Sequence, residues 1–549
     1  MKENYQSFLI EQFEGLNTGP ESSLQDNEFS ELLNYLVTDE FKLEQVPGNV
    51  LYSWVSPNDL QYVYDSSGGG SNSEMENLQN HFRHVSGGNM LLMMHNGELA
   101  KHERNVSQES GVQVDWRKLD LPSTVQFSKQ DNFGRWVSYR KKPYLAMSNS
   151  IIYYDPITQT VYDLNETNRT FFENDLGGDP SLFTELQFND LAVHKNRMFC
   201  AINTQAPNIV GFTQPFKDKF FDIVGGVPKF LFVTVGGSDE ATGDLGDKIT
   251  RIIRQGDQIL VLKTNSMHYI IGRGLKDFRS VEVNTAVGCA VPGSLQITKK
   301  GTIWMHNPEA GIFLFTGSGA PTLISEKVAE EIKIMRSLDR VASGVWNDRY
   351  YLISYRDGNK GGLRNNSTLC FNLNNGKWSK LDFGFESFAD WNQSTNPEFS
   401  IIKDDTVRLF GHGTLDGYNP DFTGGTTIGT RFKSKPFTVN TGQIKKRWKG
   451  VILTFRSSDK ALDLTFEIDR RYRKTRSVKT NPNPLWNRVK WNQFNWYDLR
   501  QMTKEVGLNP FAKGFRMAIE LETDSDGRTL IDSFAPVYFG TLDSRGGKR

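Results

Sequence analysis

The sequence predicts an all-β fold, and both its composition and its turn residues support that class. The chain has 549 residues, including 49 Gly, 37 Phe, 18 Tyr and 11 Trp. Aromatic side chains favour strands, glycine is common in tight turns, and long stretches with helical periodicity are few. Because a chain of this length exceeds one ordinary core, we expect several domains or a radially repeated architecture.

A series of hairpins predicts that the repeated architecture is a β-propeller. The segment from Asn89 contains a strand, an Asn96-Gly97 turn and a second strand, which is a strong hairpin signal. Similar strand-like segments begin further along the chain at Arg197, Gln258, Gly301 and Arg349. Their starts are about 45–60 residues apart, the spacing of four-stranded blades. We therefore predict a propeller, with six blades.

A short repeated pattern supports the propeller. Trp-x-Lys-Leu-Asp occurs twice, as Trp116–Asp120 and as Trp378–Asp382. Each copy lies at the end of a strand-like run. A tryptophan that closes the outer strand of one blade and packs against the next blade would explain why the pattern recurs.

The patterns divide the chain into three predicted parts. Residues 1–50 form an acidic N-terminal arm with a possible helix, which Asp26 would cap and whose apolar face would include Phe29 and Leu32. Residues 51–425 form the propeller, with inserted loops and one helix over 326–338 capped by Ser325. Residues 426–549 form a basic β-sandwich-like domain, whose last strands are expected to be a hairpin that turns at Asp526-Gly527.

The two ends of the chain carry opposite charge, although the formal net charge is zero. Residues 1–50 contain ten acidic and two basic residues, whereas residues 431–516 contain 21 Lys or Arg and six Asp or Glu. The ends are either two solvated surfaces or complementary faces of a subunit contact. For the second interpretation, the contact residues are the basic cluster, defined as Arg470, Arg471, Arg473, Lys474 and Arg476.

The basic cluster is followed by aromatic residues, which leaves two further interpretations open. These aromatic residues are Trp486, Trp491, Phe494, Trp496 and Tyr497. Cations together with rings are typical of a groove for single-stranded nucleic acid. Alternatively, the rings form the sandwich core while the cations face solvent or an acidic neighbour, and the alternating strand pattern favours this arrangement.

Catalytic and metal-binding patterns are missing from the sequence. The acidic loops around Asp244 and Asp524 lack the ligand spacing of an EF-hand, and His81 with His84 has no third ligand nearby. Serine-hydrolase, Walker and zincin motifs are absent. The three cysteines lie far apart among apolar neighbours: Cys200, Cys289 and Cys370. We predict a protein that is not an enzyme and uses no cofactor or metal. A propeller glycosidase or glycan-binding protein is the alternative.

Several segments, taken in their order, resemble the tail nozzle or tail hub proteins of short-tailed bacteriophages. Gly15-Leu16-Asn17-Thr18 and Pro47-Gly48 are similar to the opening elements of that family, with Val46 in place of the usual Arg. Propeller strands of the family resemble LAVHKNRMFCA, DKITRIIRQGDQILVLKTNSMHYIIG and GTIWMHNPEAGIFLFTG. The resemblance covers residues 13–381, and its specific part is the order of the segments.

The resemblance implies a structural virion protein that forms a ring at the distal end of the tail. Such a ring commonly has six subunits, continues the DNA channel, gates genome exit and anchors fibres. The implied partners are other copies of the chain in a hexamer, the tail adaptor protein, tail fibres and genomic DNA bound without sequence specificity. The start of the chain lacks a signal peptide pattern, and no apolar run is long enough for a membrane span. We therefore expect synthesis in the host cytoplasm, a final location in the virion, and no stable membrane insertion.

Overall fold

The computed structural model describes most of the chain, in which 45 strands and a few short helices are found. The described residues are 6–51, 78–84, 90–95, 97–103, 116–127, 134–183, 186–202, 208–236, 247–274, 277–393, 396–403, 406–411, 415–416, 425–438, 445–457, 461–479, 501–523 and 528–540. Six strands come first: β1 (Gln6–Ser7), β2 (Gly15–Leu16), β3 (Glu28–Leu33), β4 (Tyr35–Val37), β5 (Leu43–Gln45) and β6 (Asn49–Leu51).

Three antiparallel four-stranded blades follow, each with its strands in sequence order, and only the third is interrupted by an inserted hairpin. The first contains β7 (Leu78–His84), β8 (Met90–His95), β9 (Glu98–Glu103) and β10 (Trp116–Leu119). The second contains β11 (Arg135–Tyr139), β12 (Lys142–Met147), β13 (Ser150–Asp155) and β14 (Thr160–Asp163), and is followed by helix α1 (Leu164–Thr170). The third contains β15 (Phe188–His194), β16 (Arg197–Ile202), β17 (Ile209–Phe212) and β20 (Phe232–Thr234), with an inserted hairpin of β18 (Phe221–Val224) and β19 (Val227–Phe230).

Three more blades continue the series. The fourth contains β21 (Ile249–Gln255), β22 (Gln258–Lys263), β23 (Met267–Ile271) and β24 (Arg279–Asn284). The fifth contains β25 (Val291–Thr298), β26 (Gly301–Asn307), β27 (Gly311–Phe315) and β28 (Thr322–Leu323), followed by helix α2 (Ala329–Lys333) and β29 (Met335–Arg336). The sixth contains β30 (Ala342–Trp346), β31 (Tyr350–Asp357), β32 (Ser367–Asn372) and β33 (Trp378–Leu381).

The seventh blade closes the ring with a strand from the start of the chain. It contains β34 (Ser387–Gln393), β35 (Asn396–Lys403), β36 (Thr406–Phe410) and, as its fourth strand, β6. In the antiparallel β36–β6 pair, Val50 lies opposite Leu409. The buried Asn49 side chain donates to Asp416 Oδ1 at 2.6 Å. A blade built from strands that precede and follow the other six holds the ring closed by hydrogen bonds between those strands.

The predicted β-propeller with an additional β-sandwich-like domain is confirmed, and in the described residues its blades number seven rather than six. Six of them are separate four-stranded sheets, and the sixth blade in sequence is part of a larger sheet. The difference arises because the seventh blade takes one strand from the N-terminal segment. The seventh blade begins 45 residues after the sixth, at Ser387, but its fourth strand is far from the other three in sequence.

The sandwich consists of two sheets that enclose a ring-rich core. After the seventh blade, β37 (Leu415–Asp416) and β38 (Thr426–Thr427) form a separate two-stranded sheet. The remaining strands belong to the sandwich: β39 (Thr430–Ser434), β40 (Lys446–Ser457), β41 (Ala461–Ile468), β42 (Tyr472–Lys479), β43 (Met502–Gly514), β44 (Met517–Thr523) and β45 (Thr529–Gly540). One sheet has the order β4-β5-β45-β40-β43, with β1 also on β45, and the other contains β3-β39-β44-β41-β42. Between the sheets, Phe432 stacks on Phe534 at 5.9 Å and meets Phe29 edge-on at 5.1 Å.

Strand β3 joins the sandwich to the propeller. It pairs in parallel with β33 of the sixth blade through Leu33 and Lys380, and antiparallel with β39 of the sandwich. The result is one eleven-stranded sheet that runs from the sixth blade into the sandwich. The predicted acidic arm over residues 1–50 is not a separate part of the chain where it is described, because β1 to β6 belong to the sandwich sheets and to the seventh blade.

The predicted helix near Asp26 is also wrong, and a β-bulge explains the error. Phe29 and Leu32 are both buried, and their spacing of three residues imitates one face of a helix. In β3, however, Phe29 lies opposite Ser434 and Leu32 opposite Phe432, with a register shift between Phe29 and Glu31. The extra residue of the bulge returns both side chains to the same side of the sheet.

Two further local predictions need correction. The helix expected over 326–338 is a 3₁₀ turn over Glu326–Val328 followed by the short α2, although Val328, Ile332 and Met335, which have the spacing of one helical face, are buried. Ser325 does not cap it, because its Oγ instead accepts a hydrogen bond from the Ile312 N–H at 2.9 Å. The last strands are not a hairpin, since β44 and β45 lie in opposite sheets of the sandwich, while Asp526 and Gly527 lie outside the described residues.

Candidate functional site

The Gly15–Thr18 segment lies where the propeller and the sandwich meet. Strand β2 pairs in parallel with β3, and the Asn17 side chain donates to Glu28 Oε2 at 2.8 Å. Thr18 donates twice to the Lys327 carbonyl just before α2, from its backbone N–H at 2.7 Å and from its hydroxyl at 3.2 Å. The segment thus holds together the sandwich sheet, the segment before α2 and the sixth blade, and we call this region the junction.

Trp378 forms the propeller side of the junction. It is the first residue of β33, and Trp116 is the first residue of β10. Both copies of the Trp-x-Lys-Leu-Asp pattern therefore begin the fourth strand of a blade, as the sequence predicted. Its indole is 1% exposed, packs 4.7 Å from the Phe371 ring and donates from Nε1 to the Ile324 carbonyl at 2.8 Å. Since Ile324 follows the last strand of the fifth blade, this tryptophan connects neighbouring blades.

Gly15 makes the closest approach at the junction, and we expect Gly15→Ala to destabilise it. Its φ of +84° is unfavourable for an L side chain, and a Cβ would lie 2.6 Å from the Trp378 carbonyl oxygen. Backbone strain and the collision together should cost about 2–4 kcal/mol in the free energy of unfolding, measured by urea denaturation. The matched control is Gly177→Ala, because Gly177 has φ +64° but nothing within 4 Å of a Cβ. Equal losses in the two variants would contradict a close approach at Gly15.

A partly buried ion network, in which Glu28 is the buried member, lies beneath the junction. Lys327 Nζ is 2.7 Å from Glu28 Oε1 and 3.3 Å from Glu14 Oε2, and Lys377 also binds Glu14. Burial raises the pKa of Glu28, but hydrogen bonds from Lys327, the Gln25 N–H and Asn17 outweigh that effect and leave the pKa below its usual value. Burial likewise opposes the charge of Lys327, while Glu28 and Glu14 raise its pKa overall.

The lowered pKa of Glu28 predicts that the junction weakens in acid. A carboxylate whose pKa is lower in the folded than in the unfolded state stabilises the fold above its unfolded pKa. That contribution is lost as the pH falls through the folded value, so Tm should decrease below about pH 4.5. The raised pKa of Lys327 has no effect in this range. Glu28→Gln should lower Tm at neutral pH and reduce its dependence on acid pH, and an unchanged acid dependence would contradict the assignment.

The basic cluster is divided over two faces of the edge strand β42 and the turn before it. Arg470 Nη2 lies 2.5 Å from Glu21 Oε2, and Arg473 Nη2 lies 3.0 Å from Glu520 Oε2. Lys474 and Arg476 point to the opposite face from Arg473, because alternate residues of a strand do so. The cluster is therefore not one continuous surface. The aromatic residues from Trp486 to Tyr497 lie outside the described residues.

Opposite charges from the two ends of the sequence meet within one chain. Besides Arg470 and Glu21, three pairs join an acidic residue of the first 50 to a basic residue of the sandwich domain: Asp26 with Lys435 at 2.8 Å, Glu31 with Arg431 at 3.4 Å, and Glu44 with Arg528. The charge complementarity seen in the sequence is thus used, at these four pairs, inside the subunit. Its use between subunits stays a prediction.

A second ion cluster near the propeller axis was missed by the sequence analysis. The first strands of most neighbouring blades contact one another around the ring. Arg135, Asp190 and Arg251 lie on the first strands of the second, third and fourth blades, and we call them the axial ion cluster. Asp190 Oδ2 accepts from Arg251 Nε at 2.9 Å, and Oδ1 lies 3.9 Å from Arg135 Nε. Burial and the neighbouring Arg251 lower the pKa of Arg135 to about 10.

One sequence signal could have identified the axial ion cluster, namely the position of each of its members relative to the first hairpin of its blade. Each lies four residues before the end of the first strand, which is Tyr139, His194 or Gln255. A comparison of the blades in this register would have placed the three charges side by side. Single-sequence hairpin searches do not align blades, because the turn residues differ.

The arrangement that most resembles a catalytic site does not activate a nucleophile. Ser266 Oγ donates to Asp247 Oδ2 at 2.5 Å and is 3.2 Å from His268 Nε2, and all three residues are buried. A hydroxyl that gives its proton to the carboxylate is not activated by the histidine, as a serine nucleophile requires. Burial also raises the pKa of the Cys289 thiol to about 12, so its reactive thiolate form is disfavoured.

The described part of the chain holds neither a candidate metal centre nor a membrane-spanning helix. Within it, no three or more His, Cys, Asp or Glu side chains are grouped so as to hold a metal ion. Asp244 and Asp524 of the acidic loops lie outside these residues. No helix there has the length and apolar character needed to cross a membrane.

No protein-family model matches the chain, and no curated protein matches it. Among solved structures, the β-propeller domain of Cps50 (Swd1) from Myceliophteria thermophila is similar with a TM-score of 0.36 and 12% identity, over 61% of this chain and 99% of that domain. A chain of the mitotic checkpoint complex gives 0.34 and 9% identity, over 63% of this chain and 97% of its own. The major Malassezia sympodialis allergen Mala s 1 gives 0.29 and 11% identity, over 51% and 91% respectively. The propeller assignment therefore rests on the strand pairings of this chain.

Proposed function

We propose that the chain is a structural subunit of a bacteriophage tail, of the nozzle or hub type, that assembles into a ring of six copies. The ring would continue the DNA channel, gate genome exit and anchor fibres at the distal tail of the virion. It would bind the tail adaptor above it. The proposal assigns the chain no catalytic activity and no cofactor.

The observation that supports this proposal best is the construction of the junction. Gly15-Leu16-Asn17-Thr18, the first element of the family resemblance, contacts the sandwich sheet, the segment before α2 and β33 of the sixth blade. A continuous sheet of eleven strands passes through the same region. Two domains joined by backbone pairing resist relative motion better than domains joined by a linker. Such rigidity suits a subunit that transmits load within a particle.

A closed ring needs a contact in which one face of the subunit meets a different face of the next copy. Arg470 and Arg473 are already paired with Glu21 and Glu520 of their own chain. Arg471 is exposed, and its side chain has no ion pair among the described residues. We therefore place the subunit contact of the basic cluster at Arg471. Reversal of the Arg471 charge should impair ring assembly more than reversal of the Arg470 charge, because the ion-pair partner of Arg470 lies within the same chain.

The test is electron microscopy of the purified protein and of virions. We expect sixfold rings from the wild-type chain, and antibody labelling at the distal end of the tail. Arg471→Glu should shift the protein toward monomers in sedimentation velocity, whereas Arg470→Glu should keep the rings and lower Tm. A chain that remains monomeric, is missing from virions and releases sugar from a glycan array would overturn the proposal in favour of a glycosidase.

A further inference from the structure

The β18–β19 hairpin of the third blade exposes an apolar tip. The hairpin is inserted between β17 and β20, and within the described residues its strands pair only with each other. Ile223, Val224 and Val227 have exposed fractions of 52%, 44% and 55%. Single exposed apolar residues are common on protein surfaces, but three adjacent ones at a protruding tip indicate an interaction site.

The base of the hairpin is fixed to the propeller. Phe221 lies opposite Phe230, and their rings are 5.5 Å apart. Phe221 also packs against Phe172 at 5.0 Å and Phe183 at 5.6 Å, both from the segment between the second and third blades. This aromatic cluster anchors a two-stranded sheet that would be only marginally stable alone. The tip is therefore held in a fixed direction.

Apolar side chains lie on both faces of the tip. Ile223 is opposite Pro228 on one face, and Val224 is opposite Val227 on the other. The turn between them is Gly225-Gly226, with φ of +66° and +83°, values that suit a tight hairpin turn. A flat protein surface would cover one face and leave the other in water. An apolar medium that surrounds the tip would cover both.

The charges next to the tip limit how deep such a medium would reach. Residues 223–228 contain no charged side chain, and the first charged pair is Asp222 opposite Lys229. Two residues of strand separate this pair from the Val224–Val227 pair, a distance of about 7 Å. Peripheral segments enter the headgroup and acyl boundary of a bilayer by about 5–10 Å. The uncharged length of the hairpin thus matches a shallow insertion.

We propose that the β18–β19 tip inserts into the interfacial layer of a lipid bilayer as a reversible, peripheral contact. Ile223, Val224 and Val227 enter the acyl boundary, while Asp222 and Lys229 stay among the headgroups. The peptide groups of the glycine turn keep the insertion shallow, because unpaired backbone groups are costly in hydrocarbon. This contact differs from the stable insertion that the sequence argued against. It does not depend on the ring, although several tips in one ring would strengthen it.

The test uses flotation of the full chain with vesicles of phosphatidylethanolamine and phosphatidylglycerol. Wild-type protein should float with the vesicles, and Val224→Asp/Val227→Asp should reduce the bound fraction by about tenfold or more. The matched control is Ile157→Asp, because Ile157 is 91% exposed at a turn of the second blade and should not affect binding. In a separate variant, Val224→Trp, the tryptophan emission should shift to shorter wavelength when vesicles are added.

Fold integrity is checked by circular dichroism, and Val224→Ala/Val227→Ala replaces the aspartate variant if the latter lowers Tm. Wild-type protein that stays with the aqueous fraction would overturn the proposal. So would vesicle binding that the tip variants leave unchanged. Tip variants that dissociate the oligomer in sedimentation velocity, without loss of lipid binding, would instead assign the tip to a contact between copies. Electron microscopy of the aspartate variant shows whether it still forms rings. The outcome for the tip can therefore be distinguished from the outcome for the proposed tail function.

Discussion

Replacement of Asp190 by Ala is expected to destabilise the propeller by about 3–5 kcal/mol. The Asp190 side chain is fully buried and accepts hydrogen bonds from Arg251 Nε and from the Ile252 N–H, both at 2.9 Å. Without it, the Arg251 guanidinium, only 2% exposed, would lose its carboxylate partner beside the second cation Arg135. Urea denaturation followed by circular dichroism would measure the loss.

A double-mutant cycle distinguishes the charge effect from a simple loss of packing. Arg251→Met removes the buried cation, so Asp190→Ala/Arg251→Met should be more stable than the sum of the single effects by about 2 kcal/mol. Asp190→Asn keeps the size of the side chain but not its charge, and should fall between the wild type and Asp190→Ala. Additive single effects would contradict the axial ion cluster as a coupled unit.

The sequence predicted those parts of the fold that depend on local signals. The strands on either side of Asn96-Gly97 are where the turn residues placed them, because a two-residue turn fixes the register of its hairpin. The period of these hairpins indicated a propeller, and both tryptophan patterns are outer strands. The closing strand β6 was not predictable in this way, since its partner β36 is more than 350 residues away and no turn connects them.

Errors occurred where long-range pairing overrides a local pattern. Phe29 and Leu32 have helical spacing, but the bulge in β3 is created by its pairing with β39, which lies about 400 residues further along the chain. The same limit applies to the candidate sites. The composition showed opposite charges at the two ends, yet only the folded sheet order could show that Arg470 meets Glu21 of its own chain. The axial ion cluster likewise needs three blades in register before its members become neighbours.

Trp378→Ala is the second change for which we expect a large effect, about 3–5 kcal/mol in the free energy of unfolding. The substitution leaves a cavity beside Phe371, whose ring is 4.7 Å away, and removes the donor to the Ile324 carbonyl. Because β33 carries the pairing with β3, the loss should loosen the attachment of the sandwich to the propeller. Limited proteolysis should then release the two domains at lower urea concentration than in the wild type.

Trp378→Phe separates the two contributions of this side chain. It keeps an aromatic ring against Phe371 but leaves the Ile324 carbonyl without its donor, so we expect a loss of about 1–2 kcal/mol. If the phenylalanine variant were as unstable as the alanine variant, the indole hydrogen bond would be the main contribution, and the link between the fifth and sixth blades would be polar. If it were as stable as the wild type, packing alone would hold the junction. The expected intermediate value requires both the packing on Phe371 and the indole hydrogen bond. Both contributions are expected of a tryptophan that begins the last strand of one blade and donates to a carbonyl next to the neighbouring blade.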